Sequence, residues 1–194
     1  TGFGNGQSAG DGFQFLNHDY LYEAGIMIGT GIATISDCIR GTNPQVQDND
    51  FRSGRGEILT ILSPAPRSYE RGSILLVDSI AQAPIGISVL QESYADTTTN
   101  HKNFIILKYT ITNLKSSTIA NLHAGLCVDW NVNNGGLDFT TYDTTYHMGV
   151  VKNLPAGGNR LFATKLLTQN SEISYRTINN GTELNDGFSI MEKW

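Results

Sequence analysis

The sequence predicts an all-β protein, an antiparallel β-sandwich of about ten strands with a short C-terminal helix. Apolar side chains recur at every second position, as in NFIILKYTITN, where Ile105, Leu107, Tyr109 and Ile111 share one face. Turn signals rich in glycine, proline and asparagine separate such segments, among them PAP, NNGG and PAGG. No helical periodicity lies between them, which favours a sandwich over a parallel α/β sheet.

The remaining β-type segments follow one another along most of the chain. They are YLYEAGIMIG, GIATISDCI, GEILTIL, SILLVDSI, IGISVLQESY, IANLHAGLCVDW, YHMGVV, RLFATKLL and EISYRTI. In IANLHAGLCVDW the even positions from Leu122 to Trp130 are expected to face the core, and His123, Cys127 and Asp129 the opposite side. TELNDGFSIMEKW predicts the helix, because Asn185 or Asp186 is available as a cap ahead of apolar residues.

Composition limits the classes of protein that fit. The 194 residues are enough for a single domain, 1–194, with a glycine-rich lead-in over 1–19. Charged residues make up only 16%, the net charge is -5 and no Lys/Arg cluster occurs, which excludes nucleic-acid binding. The apolar runs are too short for a membrane span of roughly 20 residues. The chain begins at Thr1, and it is expected to be a piece of a longer secreted protein.

The segment LCVDWNVNNGGLDFTTYD contains the candidate metal ligands. Alternation places Asp129, Asn131 and Asn133 on one strand face, and the following glycines let Asp138 or Asp143 complete a calcium site. The spacing departs from a calcium loop, since the glycine comes one position late and no closing Glu follows. The other interpretation is a solvated strand end whose Asx side chains bond the turn backbone.

The two cysteines leave a second alternative open. Cys38 and Cys127 cannot form a four-ligand zinc site and have no CxxC spacing. They form either one disulfide or two buried thiols, with the thiols favoured.

No enzyme signature is present. The sequence lacks a GxSxG elbow, an HExxH helix and a reactive-cysteine motif, and its four histidines lie apart. Nothing pairs the carboxylates, Glu92 and Asp129 among them, that glycoside cleavage would need. We therefore expect no catalytic residues, no cofactor-binding residues and no enzymatic activity in this segment alone.

Six segments together resemble a β-sandwich accessory module of large secreted surface proteins of Bacteroidetes-type bacteria. Between Leu21 and Val151 they are LYEAGIMIGT, ISDCIRG, DNDF, HKNFIILKYTITN, NLHAGLCVDWNV and YDTTYHMGVV. The resemblance implies a non-catalytic domain, often linked to subtilisin-like protease and sorting domains, with no active-site residues to carry over. The family tends toward Asp-Trp-Asp where this chain has Asp129-Trp130-Asn131, which removes one carboxylate from the candidate calcium site.

These observations predict a secreted or cell-surface module with a structural, adhesive or assembly role and a protein or glycan partner. Such modules usually continue with further strands. An unfinished sandwich would expose a sheet edge, open to self-assembly or to strand addition from a neighbouring subunit. The alternative is an accessory domain that orients substrate for a linked subtilisin-like protease or other secreted hydrolase. The sequence leaves the ligand, the oligomeric state and the parent protein's length open.

Overall fold

The structure, a computed structural model, describes residues 13–15, 18–41, 48–132, 138–153, 160–168, 174–177 and 193–194. These residues are nearly all β, with thirteen strands and one short 3-10 turn at Gly54–Gly56. The all-β, sandwich-like class predicted from the sequence is thereby confirmed. Most of the predicted C-terminal helix and of the glycine-rich lead-in lie outside the described residues. No helix within the described part is long and apolar enough to cross a membrane.

The chain divides into two compact units, and each draws on separate stretches of sequence. The first unit consists of Thr1–Met27, Ile39–Asp48 and Gly125–Glu192, and the second of Ile28–Cys38, Asn49–Ala124 and Lys193–Trp194. The predicted single domain over 1–194 stays a prediction.

The first unit contains a small two-stranded sheet and a three-stranded one. Their strands are β1 (Gln14–Phe15), β2 (His18–Asp19), β11 (Asp138–Asp143), β12 (Met148–Asn153) and β13 (Leu161–Lys165). β1 pairs with β2, and the larger sheet has the order β11-β12-β13, with antiparallel neighbours throughout.

The second unit is built on a five-stranded antiparallel sheet. Its strands are β5 (Arg52–Ser53), β6 (Thr60–Leu62), β7 (Glu70–Val77), β8 (Ile87–Ala95) and β9 (Ile105–Asn113). The order is β5-β7-β8-β9, and β6 also pairs with β7. Leu76 lies opposite Val89 in the register, and both are fully buried together with Ile87. Apolar side chains of the middle strands therefore form the core of this unit.

A further sheet has three strands. It consists of β3 (Leu21–Gly31), β4 (Thr34–Asp37) and β10 (His123–Trp130), in the order β10-β3-β4. β3 is buried or half-buried at every position, as expected of its largely apolar sequence in the middle of a sheet.

An aromatic cluster in the first unit fixes the end of β10. The Trp130 ring stacks on Phe162 with centroids 5.0 Å apart. Phe13 packs edge-on against Trp130, with ring centroids 5.3 Å apart. The indole N–H of Trp130 also donates to Thr164 Oγ1 at 3.3 Å. Asp129 and Asn131 flank this tryptophan, so its packing sets where the candidate metal ligands lie.

Three details of the predicted pattern are wrong. Cys127 is buried, while Leu126 on the supposed core face of β10 and Leu122 just before the strand are both exposed. In EISYRTI, residues 174–177 are described and form no strand. The segment from Asp138 to Asp143, which is absent from the β-type segments predicted above, is strand β11.

Candidate functional site

The carboxylate of Asp129 is bound by an arginine. Arg40 Nη2 donates to Asp129 Oδ2 at 2.7 Å, and Arg40 Nε donates to Glu23 Oε2 at 2.8 Å. Glu23 is fully buried and also accepts the backbone N–H of Arg40 at 2.7 Å. The guanidinium carbon lies 5.1 Å from the centroid of the Tyr22 ring. A cation, two carboxylates and an aromatic ring thus form one partly buried cluster.

The electrostatics of this cluster favour the charged arginine. Burial by itself lowers the pKa of Arg40, but the hydrogen bond to Glu23 and the charges of Asp129 and Glu23 outweigh it and raise the pKa above its usual value. A calcium ion at Asp129 would therefore lie beside a permanent positive charge.

The other candidate metal ligands have separate partners. Asp138, the first residue of β11, accepts the backbone N–H of Val132 at 2.8 Å and the Asn153 amide at 3.3 Å. Asp143, the last residue of β11, accepts the backbone N–H groups of Thr145 and Tyr146, both at 2.9 Å. A strand of this length separates its ends by about 16 Å, so one ion cannot take both aspartates.

Two asparagines complete the predicted ligand set. The backbone N–H of Asn131 donates to the carbonyl of Tyr20 at 2.8 Å, and Asn133 lies outside the described residues. Among the residues that the structure describes, no group of three or more His, Cys, Asp or Glu is arranged to hold a metal. The calcium site stays a prediction.

Both cysteines are buried free thiols in the structure. Cys127 packs against Ile39 and Met27 in a small apolar cluster of the first unit. Cys38 is the residue next to β4 and belongs to the second unit.

A second charged cluster surrounds Glu92 in the five-stranded sheet. Its carboxylate, 5% exposed, accepts hydrogen bonds from Arg71, from Lys108 at 2.9 Å and from the Tyr94 hydroxyl at 3.0 Å. The bonds from Lys108, Arg71 and Tyr94, in that order of strength, lower the pKa of Glu92 to about 2. A carboxyl held ionised in this way is a permanent anion and a poor general acid near neutral pH.

An open groove runs along the sheet of the first unit. Its volume is about 390 Å³, and its lining mixes hydroxyls, one carboxylate, one ammonium and two aliphatic side chains. The lining residues are Thr141, Tyr142, Asp143, Thr144, Val150, Lys152 and Leu161. Asp143, predicted as a calcium ligand, is here part of a polar surface groove.

Exposed apolar side chains concentrate around two strands of the second unit, β6 and β9. They are between 39% and 81% exposed. The residues are Ile58, Leu59, Ile61, Leu62, Phe104, Ile105 and Ile106. Among the described strands, β9 pairs with β8 alone, so it forms one edge of the sheet. A nine-residue edge strand with this composition offers backbone groups and apolar contacts to another strand.

Sequence reasoning identified β9 and Asp129 but missed both charged clusters. Arg40 and Asp129 are separated by 89 positions, and Arg71 and Glu92 by 21, so no local spacing connects them. A family-model scan, a search of curated proteins and a search of solved structures found no match to this chain.

Proposed function

We propose that this chain is a non-catalytic structural module of a secreted or cell-surface protein that assembles with a second copy of itself through the edge of β9. The observation that carries the proposal is the length, composition and exposure of that edge. The ionised Glu92 is consistent with a non-catalytic role, because a carboxyl with a pKa of about 2 is not tuned for proton transfer near neutral pH.

β9 lacks the features that usually protect an edge strand. Such strands tend to be short or to carry charges, prolines or bulges that block pairing with another chain. β9 has nine residues, no proline and one charged residue, Lys108, which is bound to Glu92. Ile105 and Ile106 at its beginning are both exposed. An added strand would cover these side chains and satisfy the backbone groups of the edge.

A second copy fits this edge because the strand is self-complementary. In an antiparallel pair of β9 strands centred on Tyr109, Leu107 faces Ile111 of the other copy, and Lys108 faces Thr110. The tyrosines face each other across the two-fold axis. This register joins Leu107 to Ile111, places Ile106 opposite Thr112 and Ile105 opposite Asn113, and places no like charges opposite each other.

The same register gives a test in which two substitutions at one position should change the dimer Kd in opposite directions. Thr110→Lys places a lysine opposite Lys108 of the second copy, twice per dimer, whereas Thr110→Glu places a carboxylate there. At roughly 0.5 kcal/mol per cross-strand pair, the two variants should differ by about 2 kcal/mol, or roughly 30-fold in dimer Kd. Sedimentation velocity over a concentration series measures this difference.

The matched controls are Thr118→Lys and Thr118→Glu, which make the same charge changes at an exposed position outside β9. They should leave the dimer Kd unchanged relative to each other. A wild-type chain that sediments as a monomer at every concentration would refute the proposal. Equal dimer Kd values for Thr110→Lys and Thr110→Glu would refute this register.

A further inference from the structure

A buried ion pair in the second unit joins two residues 156 positions apart. Lys193 Nζ lies 2.9 Å from Oδ1 and 3.0 Å from Oδ2 of Asp37. The side chains are only 3% and 2% exposed. Nearly equal distances to both oxygens put the amine nitrogen within about 3.4 Å of the carboxyl carbon, which matches a near-attack arrangement in separation but not in direction of approach.

The surroundings of the pair hold both residues in place. The main chain of Asp37 is fixed by its N–H donating to Asp50 Oδ2 at 2.9 Å and by its carbonyl accepting the N–H of Asp50 at 3.1 Å. Next to Lys193, the Trp194 ring packs so closely on Gly29 that a Cβ there would lie 3.0 Å from it. His123 packs edge-on against the same ring at 5.0 Å.

We propose that Lys193 and Asp37 condense into an intramolecular amide that cross-links β4 to residue 193. The Nζ–Cγ bond forms and one Cγ–O bond of the carboxylate breaks. The ammonium gives up two protons, and both leave with the departing oxygen as one water molecule. The charges of the pair cancel in the product, nothing is oxidised or reduced, and no co-reactant is needed.

Two physical features of the site favour the amide over the ion pair. Two opposite charges held out of water carry a desolvation penalty, and condensation removes both of them. The fixed geometry turns the encounter of amine and acid into an intramolecular step, and scarce solvent around the pair opposes hydrolysis. Attack requires Nζ to leave the Cβ–Cγ axis of Asp37, by rotation of the Lys193 side chain or of Asp37 about its Cα–Cβ bond, so that it approaches the face of the carboxyl carbon.

Intact mass under denaturing conditions tests the proposal. The folded wild-type chain, after prolonged incubation, should weigh about 18 Da less than its sequence mass, the loss of one water. Tandem mass spectrometry of a digest should recover a branched peptide that contains both residue 37 and residue 193. A wild-type chain at full sequence mass would overturn the proposal, whatever the variants do.

Two variants distinguish the amide from an aspartyl succinimide, which forms with the same loss of mass. Lys193→Arg keeps the positive charge but cannot form this amide, and Asp37→Ala removes the acyl group, so both should have full sequence mass. A succinimide elsewhere in the chain would persist in Lys193→Arg, and hydroxylamine would cleave it. A loss of water in Lys193→Arg, or one that hydroxylamine reverses, would contradict the cross-link.

Discussion

At the scale of single residues, Arg40 determines what Asp129 can do. The guanidinium is nearly buried and bonds both Asp129 and the fully buried Glu23. Replacing Arg40 by Met removes the guanidinium that bonds the fully buried Glu23 carboxylate, which should cost about 3–5 kcal/mol of unfolding free energy. Asp129→Asn removes a partner whose side chain is 30% exposed, and it should cost about 1 kcal/mol or less.

Urea unfolding of the two variants measures this contrast. Both variants disturb contacts of the same arginine. Arg40→Met removes the contacts with Glu23 and Asp129 and should lose much stability, whereas Asp129→Asn changes only the second contact and should lose little, so each variant is the control for the other. Equal losses would show that breaking the Asp129 contact accounts for the whole effect of removing Arg40, and that the buried contact with Glu23 adds nothing further.

The sequence predicted that Asp129 lies on the polar face of its strand, but it did not predict that Arg40 binds the carboxylate. Alternation along β10 identifies which residues share a face, because it is a local property of a strand. The Arg40 contact spans 89 positions and depends on how the chain returns to β10. Local spacing therefore led to the calcium-site hypothesis, which stays a prediction, but it could not predict the ion pair with Arg40.

At the scale of elements, the cluster around Glu92 ties three neighbouring strands together. In the register of the sheet Glu92 faces Lys108 on β9, and Tyr94 faces Arg71 on β7. All four side chains lie on one face of the sheet, because directly opposite residues share a face and Glu92 and Tyr94 are two positions apart. Basic groups on both sides of the carboxylate lower its pKa from 4.5 to about 2.

This cluster predicts a stability contribution that depends on pH. Because the pKa of Glu92 is lower in the folded chain, its contribution is fully present above about pH 4.5 and is lost as the pH falls toward about 2. The difference in unfolding midpoint between wild type and Glu92→Gln should be largest near pH 6 and vanish near pH 2. Chemical unfolding at a series of pH values measures it.

Glu57→Gln, at an exposed position in the same unit, controls for the loss of one carboxylate. Its difference from wild type should change much less over the same pH range. A Glu92→Gln difference that stays constant with pH would show that the basic neighbours do not stabilise the ionised form.

Strands with a regular alternation of apolar and polar residues could be predicted from the sequence, and strands rich in polar residues could not. In β9 the alternation from Leu107 to Ile111 is reproduced in the burial of the strand. β11 was missed because Asp138 and Asp143 at its ends resemble turn residues, although Phe139 and the following threonines have high β-propensity. β10 packs apolar residues on both faces, so a single core face is the wrong description.

At the scale of the whole molecule, composition restricted the class of protein but predicted neither the division into units nor the redox state of the cysteines. The alternating pattern was enough to predict the all-β class, and a net charge of -5 without basic clusters led us to expect no nucleic-acid partner, which stays a prediction. The division into two units, each assembled from separated stretches, results from long-range pairing that leaves no signal in local periodicity. Cys38 and Cys127 belong to different units, and spacing alone could not decide their oxidation state.

The redox state of these cysteines is a property of the whole chain that can be measured directly. The structure has two free thiols, 7% and 9% exposed, so a thiol reagent should react slowly with the folded chain and should titrate two thiols per chain in denaturant without reductant. Cys38→Ser should leave one. A count of zero in the denatured wild type would establish a disulfide, and it would favour formation of this chain in an oxidising compartment. A count of two, by contrast, would mean that the second unit holds Cys38 as a small apolar core residue.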